Sequence, residues 1–288
     1  MRTHICKNLT FLLLLSIVGA FVTGCRKGQK QVARNDIQFD SIKIDKTYHL
    51  LDNPKNPNCN LQINFIFPAN YKDKEVLKKI QEQFVYTYFG DKYDTLSPRD
   101  ALNKYTDAYM ESYKKLESDF KNETEKNNNT SVKTWFSYYE ITSGKIIFNK
   151  DNFLSFVINS ENYTGGAHGS HAINNHVISL LGGKMLTEED IFIDNYQDEL
   201  SRLLVKHIAK QNKIEDPKEL ENIGYFSVDE ISPNGNFLID DRGITYTYNE
   251  YEIAAYVIGV TNVFLPYEEL QSLIRTDGPL SKFISPNL

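Results

Sequence analysis

The spacing of apolar residues changes near Val132. Between residues 73 and 120, apolar residues recur at intervals of three and four, which is the period of an amphipathic helix. After Val132 they alternate or form short runs bounded by glycine and asparagine, which is typical of strands. Two further strands, at residues 37–44 and 61–67, precede the helices. The elements therefore come in blocks, which predicts an α+β fold: a largely antiparallel sheet with helices packed on one face, as a single compact domain or two intimate subdomains.

Two helices are predicted in the first half. The first covers residues 73–89. The second begins with Ser97 as the capping residue and Pro98 at the first helical position, and its apolar stripe continues to Phe120. The length of this stripe predicts a single helix of about seven turns. Polar residues 126–131 end it.

The apolar pattern in the second half of the chain predicts mainly strands. The segment WFSYYEITSGKIIFN indicates a hairpin that turns at Ser143-Gly144. Residues 153–164 and 171–180 form the next two strands. A helical stripe occupies residues 195–211, and a short last helix begins at Leu265-Pro266 and ends near Arg275.

The N-terminus resembles a bacterial lipoprotein signal. Basic Arg2 and Lys7 precede an apolar run at residues 9–22, which is too short and too close to the start for a comfortable membrane span. The sequence Val-Thr-Gly-Cys that ends the run resembles a lipobox, where the signal is cleaved before the cysteine and the cysteine receives acyl chains. An ordinary signal with an incidental cysteine is the alternative.

The lipobox predicts three things about the mature chain. Residues 1–24 form the signal peptide, Cys25 is lipidated, and residues 25–35 form a polar tether. The lipid holds the domain on a membrane of the cell envelope, at a periplasmic or surface-exposed face. Because Cys6 lies in the signal and Cys25 carries lipid, Cys59 stands alone and no disulfide within the mature chain is predicted.

The charge of the mature chain argues against nucleic acid as a partner. Loss of Arg2 and Lys7 leaves 30 basic against 38 acidic residues, a net charge of about −8. Nucleic-acid binding domains are instead basic on at least one face.

Residues 162–176 (NYTGGAHGSHAINNH) hold three glycines and three of the six histidines of the chain. Gly165 and Gly166 suit a bend between two strands, because glycine adopts positive φ and lets backbones approach closely. His168 is expected to lock such a bend through a hydrogen bond to a backbone carbonyl. A rigid bend would present Tyr163, His168 and His171 to a partner at the end of the sheet.

Three chemical interpretations of this stretch compete with a structural bend. A zinc site could use the histidines, yet strand alternation separates His168 from His171 and no cysteine is near. A phosphate cradle lacks the following helix and lysine of a nucleotide loop. A hydrolase centred on His168 would require a nucleophile such as Ser170 or Thr164 and an orienting acid. We assign no catalytic residue, metal or cofactor.

Tyrosines form a second notable group between residues 246 and 256. Tyr246 and Tyr248 alternate with Ile244 as a buried strand face does, which predicts that they belong to the core. Tyr251 lies between polar residues in NEYE and is predicted to be exposed. Since tyrosine offers contact area with a polar tip, Tyr251 is a candidate binding residue.

Four segments carry a resemblance to a known family. They are YTGGAHG (163–169), GGKMLTEEDIF (182–192), YNEYEIAAYVIG (248–259) and VFLPYEEL (263–270). In this order they resemble the bacterial extracytoplasmic domain at the C-terminal end of RsiV-type anti-sigma factors, which sense lysozyme. The same domain precedes the catalytic domain of PdaC-type peptidoglycan deacetylases and occurs in stand-alone lipoproteins of unknown function. The similarity covers most of residues 36–275.

The resemblance implies an α+β fold with a PdaC-like half at residues 36–149 and an RsiV-like half at residues 150–288. We expect neither the cytoplasmic segment of the sensors nor the catalytic domain of the deacetylases. What remains is binding at the cell envelope. We therefore predict a non-catalytic binding module with a lysozyme-like protein as the leading partner. Peptidoglycan or another glycan is the alternative, and a hydrolase or metalloenzyme centred on His168 is a third hypothesis.

Overall fold

The computed structural model describes residues 34–126 and 130–284. The predicted signal peptide, the lipidation site Cys25 and all but the end of the predicted tether lie outside these residues. The described residues form one compact unit. The predicted division of the chain at residue 149 stays a prediction.

A six-stranded sheet dominates the fold. Its strands are β1 (Ile37–His49), β2 (Asn58–Tyr71), β3 (Tyr138–Lys150), β4 (Phe153–Thr164), β5 (Ser170–Ser179) and β6 (Lys184–Met185), in that order across the sheet. The β2–β3 pair is parallel and the other pairs are antiparallel. The sheet is therefore largely antiparallel, as predicted.

Four α-helices lie in the described part of the connection from β2 to β3, since a parallel pair requires a long crossover. They are α1 (Lys74–Phe89), α2 (Pro98–Lys114), α3 (Glu117–Lys126) and α4 (Thr130–Trp135). Asp73 caps α1 by accepting from two backbone N–H groups, and Ser97 caps α2 by accepting from the N–H of Asp100.

The helices α1 and α2 pack on one face of the sheet. Phe84 of α1 stacks on Phe156 of β4, with ring centroids 4.1 Å apart. Phe65 of β2 meets the rings of Tyr88 and Phe89 edge to face. This aromatic core holds the helices on a single face, which confirms that part of the predicted architecture.

A second, three-stranded sheet covers part of the opposite face. It consists of β7 (Phe237–Ile239), β8 (Gly243–Tyr248) and β9 (Thr261–Pro266), packed over β4 and β5. The Ser155 hydroxyl donates to the carbonyl of Ile239 at 2.8 Å and joins the two sheets. Three helices complete this half: α5 (Glu188–Ile191), α6 (Gln197–Gln211), which packs on β9, and α7 (Tyr267–Leu270).

The predicted hairpin at Ser143-Gly144 is wrong. β3 runs unbroken through both residues, and the chain turns at Asp151 and Asn152, which adopt left-handed backbone angles. Gly144 serves a packing role instead, because the Tyr88 phenol occupies the space that a Cβ would need. Taken alone, the pair Ser-Gly predicts a turn. The glycine is instead explained by the close approach of Tyr88, which lies 56 positions earlier in the sequence.

The predicted seven-turn helix is interrupted. α2 ends at Lys114 and α3 begins at Glu117. Glu117 accepts from the Tyr48 hydroxyl at 2.6 Å and from the N–H of Leu51 at 2.9 Å, which ties this point of the chain to the β1–β2 connection. The predicted last helix is also shorter, because residues 261–266 form β9.

Candidate functional site

The second sheet leaves the outer part of the large sheet uncovered, and a groove of about 380 Å³ lies there. Its floor consists of side chains from β3, β4 and β5. Strand register places Ile141 opposite Glu161 and Ser143 opposite Asn159, while Glu161 and Asn159 face His171 and Ile173 on the next strand. Because side chains alternate along a strand, all of these point to the same face.

A hydrogen-bonded carboxylate lies at the centre of this floor. The Tyr139 hydroxyl donates to Glu161 at 2.8 Å, and Nδ1 of His171 is 3.9 Å from the other carboxylate oxygen. The hydrogen bond to Glu161, and then partial burial, raise the pKa of Tyr139, so this phenol remains a donor near neutral pH. The Tyr139 ring stacks on Tyr163 at 6.1 Å. Glu161 thus has one hydrogen-bond donor, Tyr139, and remains open to the groove.

The other wall of the groove is the connection between β8 and β9, residues 249–260. Asn249 anchors it to β5: its Oδ1 accepts from the N–H of Ile173 at 2.7 Å, and its Nδ2 donates to the same residue's carbonyl at 3.2 Å. Glu250 and Val260 line the groove from this wall. The groove therefore has one wall built on strands and one built on an anchored loop.

The predicted bend lies where the sequence places it, between β4 and β5. Gly165 adopts φ +85°, and a Cβ there would collide with the carbonyl of Trp135, so glycine is required. Gly166 is not in the left-handed region. The Tyr163 hydroxyl donates to the carbonyl of Gly166 at 2.8 Å and holds the bend, a role that the sequence had given to His168.

The structure separates the two candidate histidines. His168 is exposed in the bend and does not line the groove, whereas His171 does. Tyr251 is 66% exposed, adopts φ +67° and stacks on Tyr256 at 5.6 Å, beside the groove wall. Tyr163 does not line the groove, and its ring stacks on Tyr139, which donates to Glu161. Within residues 34–126 and 130–284, no three His, Cys, Asp or Glu side chains group as a metal site would require.

Three residues that line the groove escaped the sequence prediction, namely Ile141, Glu250 and the anchor Asn249, and so did Tyr139, which donates to Glu161. The alternation Tyr139-Ile141-Ser143 was available as a signal, but a hairpin placed at Ser143 hides it. Asn249 and Glu250 carry no local signal, since their role depends on contact with a strand 76 positions earlier.

An exposed apolar surface adjoins the groove. The exposed side chains of Tyr251, Tyr256 and Val257 lie in the 249–260 connection, and Ile223 and Phe226 lie in a segment bridged to it. Val257 is 86% exposed, which is unusual for an aliphatic side chain. Clusters of this kind mark interaction surfaces more often than isolated apolar residues do.

This surface belongs to a strongly acidic part of the chain. Residues 219–274 contain ten acidic residues and one basic residue, Arg242, a net charge of −9. The whole chain carries −6, so the remainder is slightly basic. The negative charge is thus concentrated around one wall of the groove and the second sheet.

Two family models match the chain in succession. The model described as deacetylase PdaC matches residues 52–171, and the model described as a protein of unknown function (DUF3298) matches residues 189–268. No curated protein matches the sequence.

Two crystal structures share the fold. A DUF3298 family member from Bacteroides fragilis is 29% identical, with a TM-score of 0.82 over 88% of this chain and all of that one. A DUF3298 family protein from Pseudomonas aeruginosa is 13% identical, with a TM-score of 0.58 over 83% of this chain and 95% of that one. None of the helices in the described residues is long and apolar enough to cross a bilayer.

Proposed function

We propose that this chain, which matches the PdaC/RsiV type of extracytoplasmic domain, is a binding module of the bacterial cell envelope. The groove over β3, β4 and β5 is its ligand site. The observation that carries this proposal is the Glu161 carboxylate, which accepts a hydrogen bond from Tyr139 and lies beside His171 at the floor of an open groove. A carboxylate that is already hydrogen-bonded loses less side-chain entropy when it binds a ligand.

A cationic, lysozyme-like protein is the partner that the surface fits best. Glu161 and Glu250 line the groove, and the adjoining segment 219–274 has a net charge of −9. Complementary charge accelerates association and selects among partners. The exposed Tyr251, Tyr256 and Val257 add the apolar contacts that interface centres contain.

Binding of hen lysozyme to a protein that begins at residue 34 tests this proposal. We expect measurable affinity in biolayer interferometry that weakens about tenfold or more in Glu161→Gln and in Tyr251→Ala, as for residues at an interface centre. Tyr86→Ala is the matched control, because Tyr86 is also an exposed tyrosine, on α1 at the opposite face of the large sheet. Absence of binding at micromolar concentration would remove a lysozyme-like protein as the partner.

A peptidoglycan strand is the second candidate. The groove also presents the hydroxyl of Ser143 and the amide of Asn159, beside the stacked rings of Tyr139 and Tyr163. Hydroxyls, amides and aromatic faces are suited to sugars. Co-sedimentation with purified cell wall, lost in Asn159→Ala and retained in Tyr86→Ala, would support the glycan. Failure to sediment would eliminate it.

The membrane location is a separate part of the proposal. The lipobox at Val22–Cys25 supports a lipid anchor on Cys25. Mass spectrometry of the protein from membranes is expected to show a diacylglyceryl group on an N-terminal Cys25, and Cys25→Ser is expected to release the protein from the membrane fraction. An unmodified Cys25 that still follows residues 1–24 would contradict the anchor.

A further inference from the structure

A cavity of about 280 Å³ separate from the groove lies between the edge of β5 and the start of α5. Its lining includes Asn175 and His176 of β5, Thr187 and Glu188 before and at the start of α5, and Gly235 before β7. None of these residues lines the groove. At about 30 Å³ per water, the cavity has room for a molecule of roughly ten non-hydrogen atoms.

The cavity holds a buried carboxylate without a counter-ion. Glu188 is 9% exposed. One carboxylate oxygen accepts from the Tyr196 hydroxyl at 2.9 Å and the other from the N–H of Gly235 at 3.0 Å. Both donors are neutral, and none of the described Lys, Arg or His side chains forms an ion pair with Glu188; the nearby Lys184 pairs with Asp190.

His176 does not supply the missing charge, and its ring packs on Phe156 on the helix-covered face of the sheet. Burial lowers the pKa of His176 to about 4, so the ring is neutral near pH 7. The Tyr246 hydroxyl is buried close to Glu188, and burial raises its pKa, so it is neutral and supplies no positive charge. An isolated buried charge is expensive, and each such charge requires a partner.

A second acceptor lines the same cavity. Asn175 is 6% exposed, and its Nδ2 donates to the Thr247 hydroxyl at 2.7 Å. No described residue donates a hydrogen bond to its Oδ1. The cavity thus combines a charged acceptor and a neutral acceptor that are both available to a donor.

We propose that this cavity binds the primary ammonium group of a small molecule, through the Glu188 carboxylate and the Asn175 side-chain oxygen. An ammonium has three N–H donors and a positive charge, so it satisfies both acceptors and compensates the buried carboxylate. An amino sugar and an amino-acid amide share this chemistry and fit the volume. The site is independent of the groove and of its partner.

Paired ligands test the proposal on the full chain in amine-free phosphate buffer. The probes are glucosamine and alaninamide, and their neutral controls are N-acetylglucosamine and N-acetylalaninamide. We expect both amines to raise the melting temperature and to shift the NMR signals of residues 175–176 and 187–189, with no effect from the acetylated forms. A response to one amine only identifies the source of the ammonium. Equal responses to amine and acetylated forms, or no response at millimolar concentration, would overturn the proposal.

Glu188→Gln separates binding from folding. Because the wild-type carboxylate is buried without a counter-ion, the neutral variant is expected to melt at the same temperature or higher while its affinity for the amines falls about tenfold or more. Glu199→Gln is the control, because the Glu199 side chain on α6 is 46% exposed and pairs with Arg202 outside the cavity, and it is expected to bind as wild type. Unchanged amine binding in Glu188→Gln would show that the Glu188 carboxylate does not bind the ammonium group. If that variant does not fold, the paired ligands on the wild-type protein still decide the question.

Discussion

Asn249 pairs with Ile173 as a neighbouring strand would. Its side-chain oxygen accepts from the N–H of Ile173 and its side-chain nitrogen donates to the carbonyl of the same residue, at 2.7 and 3.2 Å. Asn236 binds the same strand edge in the same way. Its Oδ1 accepts from the N–H of Asn175, and its Nδ2 donates to the carbonyl of Ile173. Two asparagines therefore satisfy the exposed edge of β5 and join the two sheets without a further strand.

Asn249→Ala is expected to release the groove wall at residues 249–260. Loss of the two bonds leaves the N–H of Ile173 unpaired, while its carbonyl keeps the hydrogen bond from Asn236, and costs about 1–3 kcal/mol. Hydrogen exchange is expected to accelerate at Ile173 and across the 249–260 connection, and lysozyme affinity is expected to fall with it. Asn249→Asp keeps the acceptor and loses the donor, so its exchange should be intermediate. Unchanged exchange in the alanine variant would show that the anchor is unimportant.

Gly144→Ala is expected to destabilise the protein by roughly 1–3 kcal/mol, as overpacking of a filled core does. The added methyl would collide with the Tyr88 hydroxyl, which also lies 3.4 Å from the N–H of Ile66. Chemical denaturation of the single and double variants measures the effect. Tyr88→Phe removes the colliding oxygen, so the double variant should lose less stability than the sum of the two single variants. Strict additivity would contradict the packing role of Gly144.

Gly165→Ala is expected to strain the bend between β4 and β5. The residue has φ +85° and its Cβ position is occupied by the Trp135 carbonyl, so both backbone strain and a clash oppose alanine. We expect a loss of roughly 1–3 kcal/mol, measured by thermal melting. Gly235 is the matched control, because it has φ +71° with open space around its Cβ position. An equal loss at both sites would mean that strain alone, without the Trp135 contact, determines the cost.

His176 is expected to make the fold acid-sensitive. Burial lowers its pKa from 6.5 to about 4 in the folded protein, so between these pH values the unfolded chain binds a proton that the folded chain does not. This contribution to stability is complete above about pH 6.5 and is lost as the pH falls towards 4, by at most roughly 3 kcal/mol. His176→Phe keeps a ring against Phe156 and removes the titration. Its stability is expected to fall less over this pH range; an identical slope would exclude His176 as the cause.

Much of the fold follows from the order of apolar residues. The spacing of residues 73–89 predicts α1 to within a residue of its start, and the segment FLSFVINSENYT predicts β4 as the structure has it. The predicted burial of Tyr246 and Tyr248 is confirmed. This prediction succeeds because it depends only on alternation between neighbouring residues. The resemblance to PdaC-type and RsiV-type domains is likewise confirmed by the two family models and the DUF3298 structures.

The errors share one physical origin. Ser143-Gly144 has the composition of a turn, but Tyr88, on a helix 56 positions away, takes the space beside the glycine and the strand continues. Glu117 belongs to a segment whose apolar spacing predicts a continuous helix. In the structure Tyr48 and Leu51 donate to its carboxylate at the break between α2 and α3. In both cases a contact remote in sequence overrides a local preference.

The sequence by itself determined the blocks of helix and strand, the glycine bend at Gly165 and the concentration of acidic residues in 219–274, because each depends on neighbouring residues or on composition alone. The tertiary structure decided which side chains meet. Sheet register places Tyr139, Glu161 and His171 together and excludes His168 from the groove, and the packing of the second sheet encloses Glu188 beside Asn175. Local preferences reach a few residues along the chain, whereas a binding site depends on contacts between residues that only the packed fold brings together.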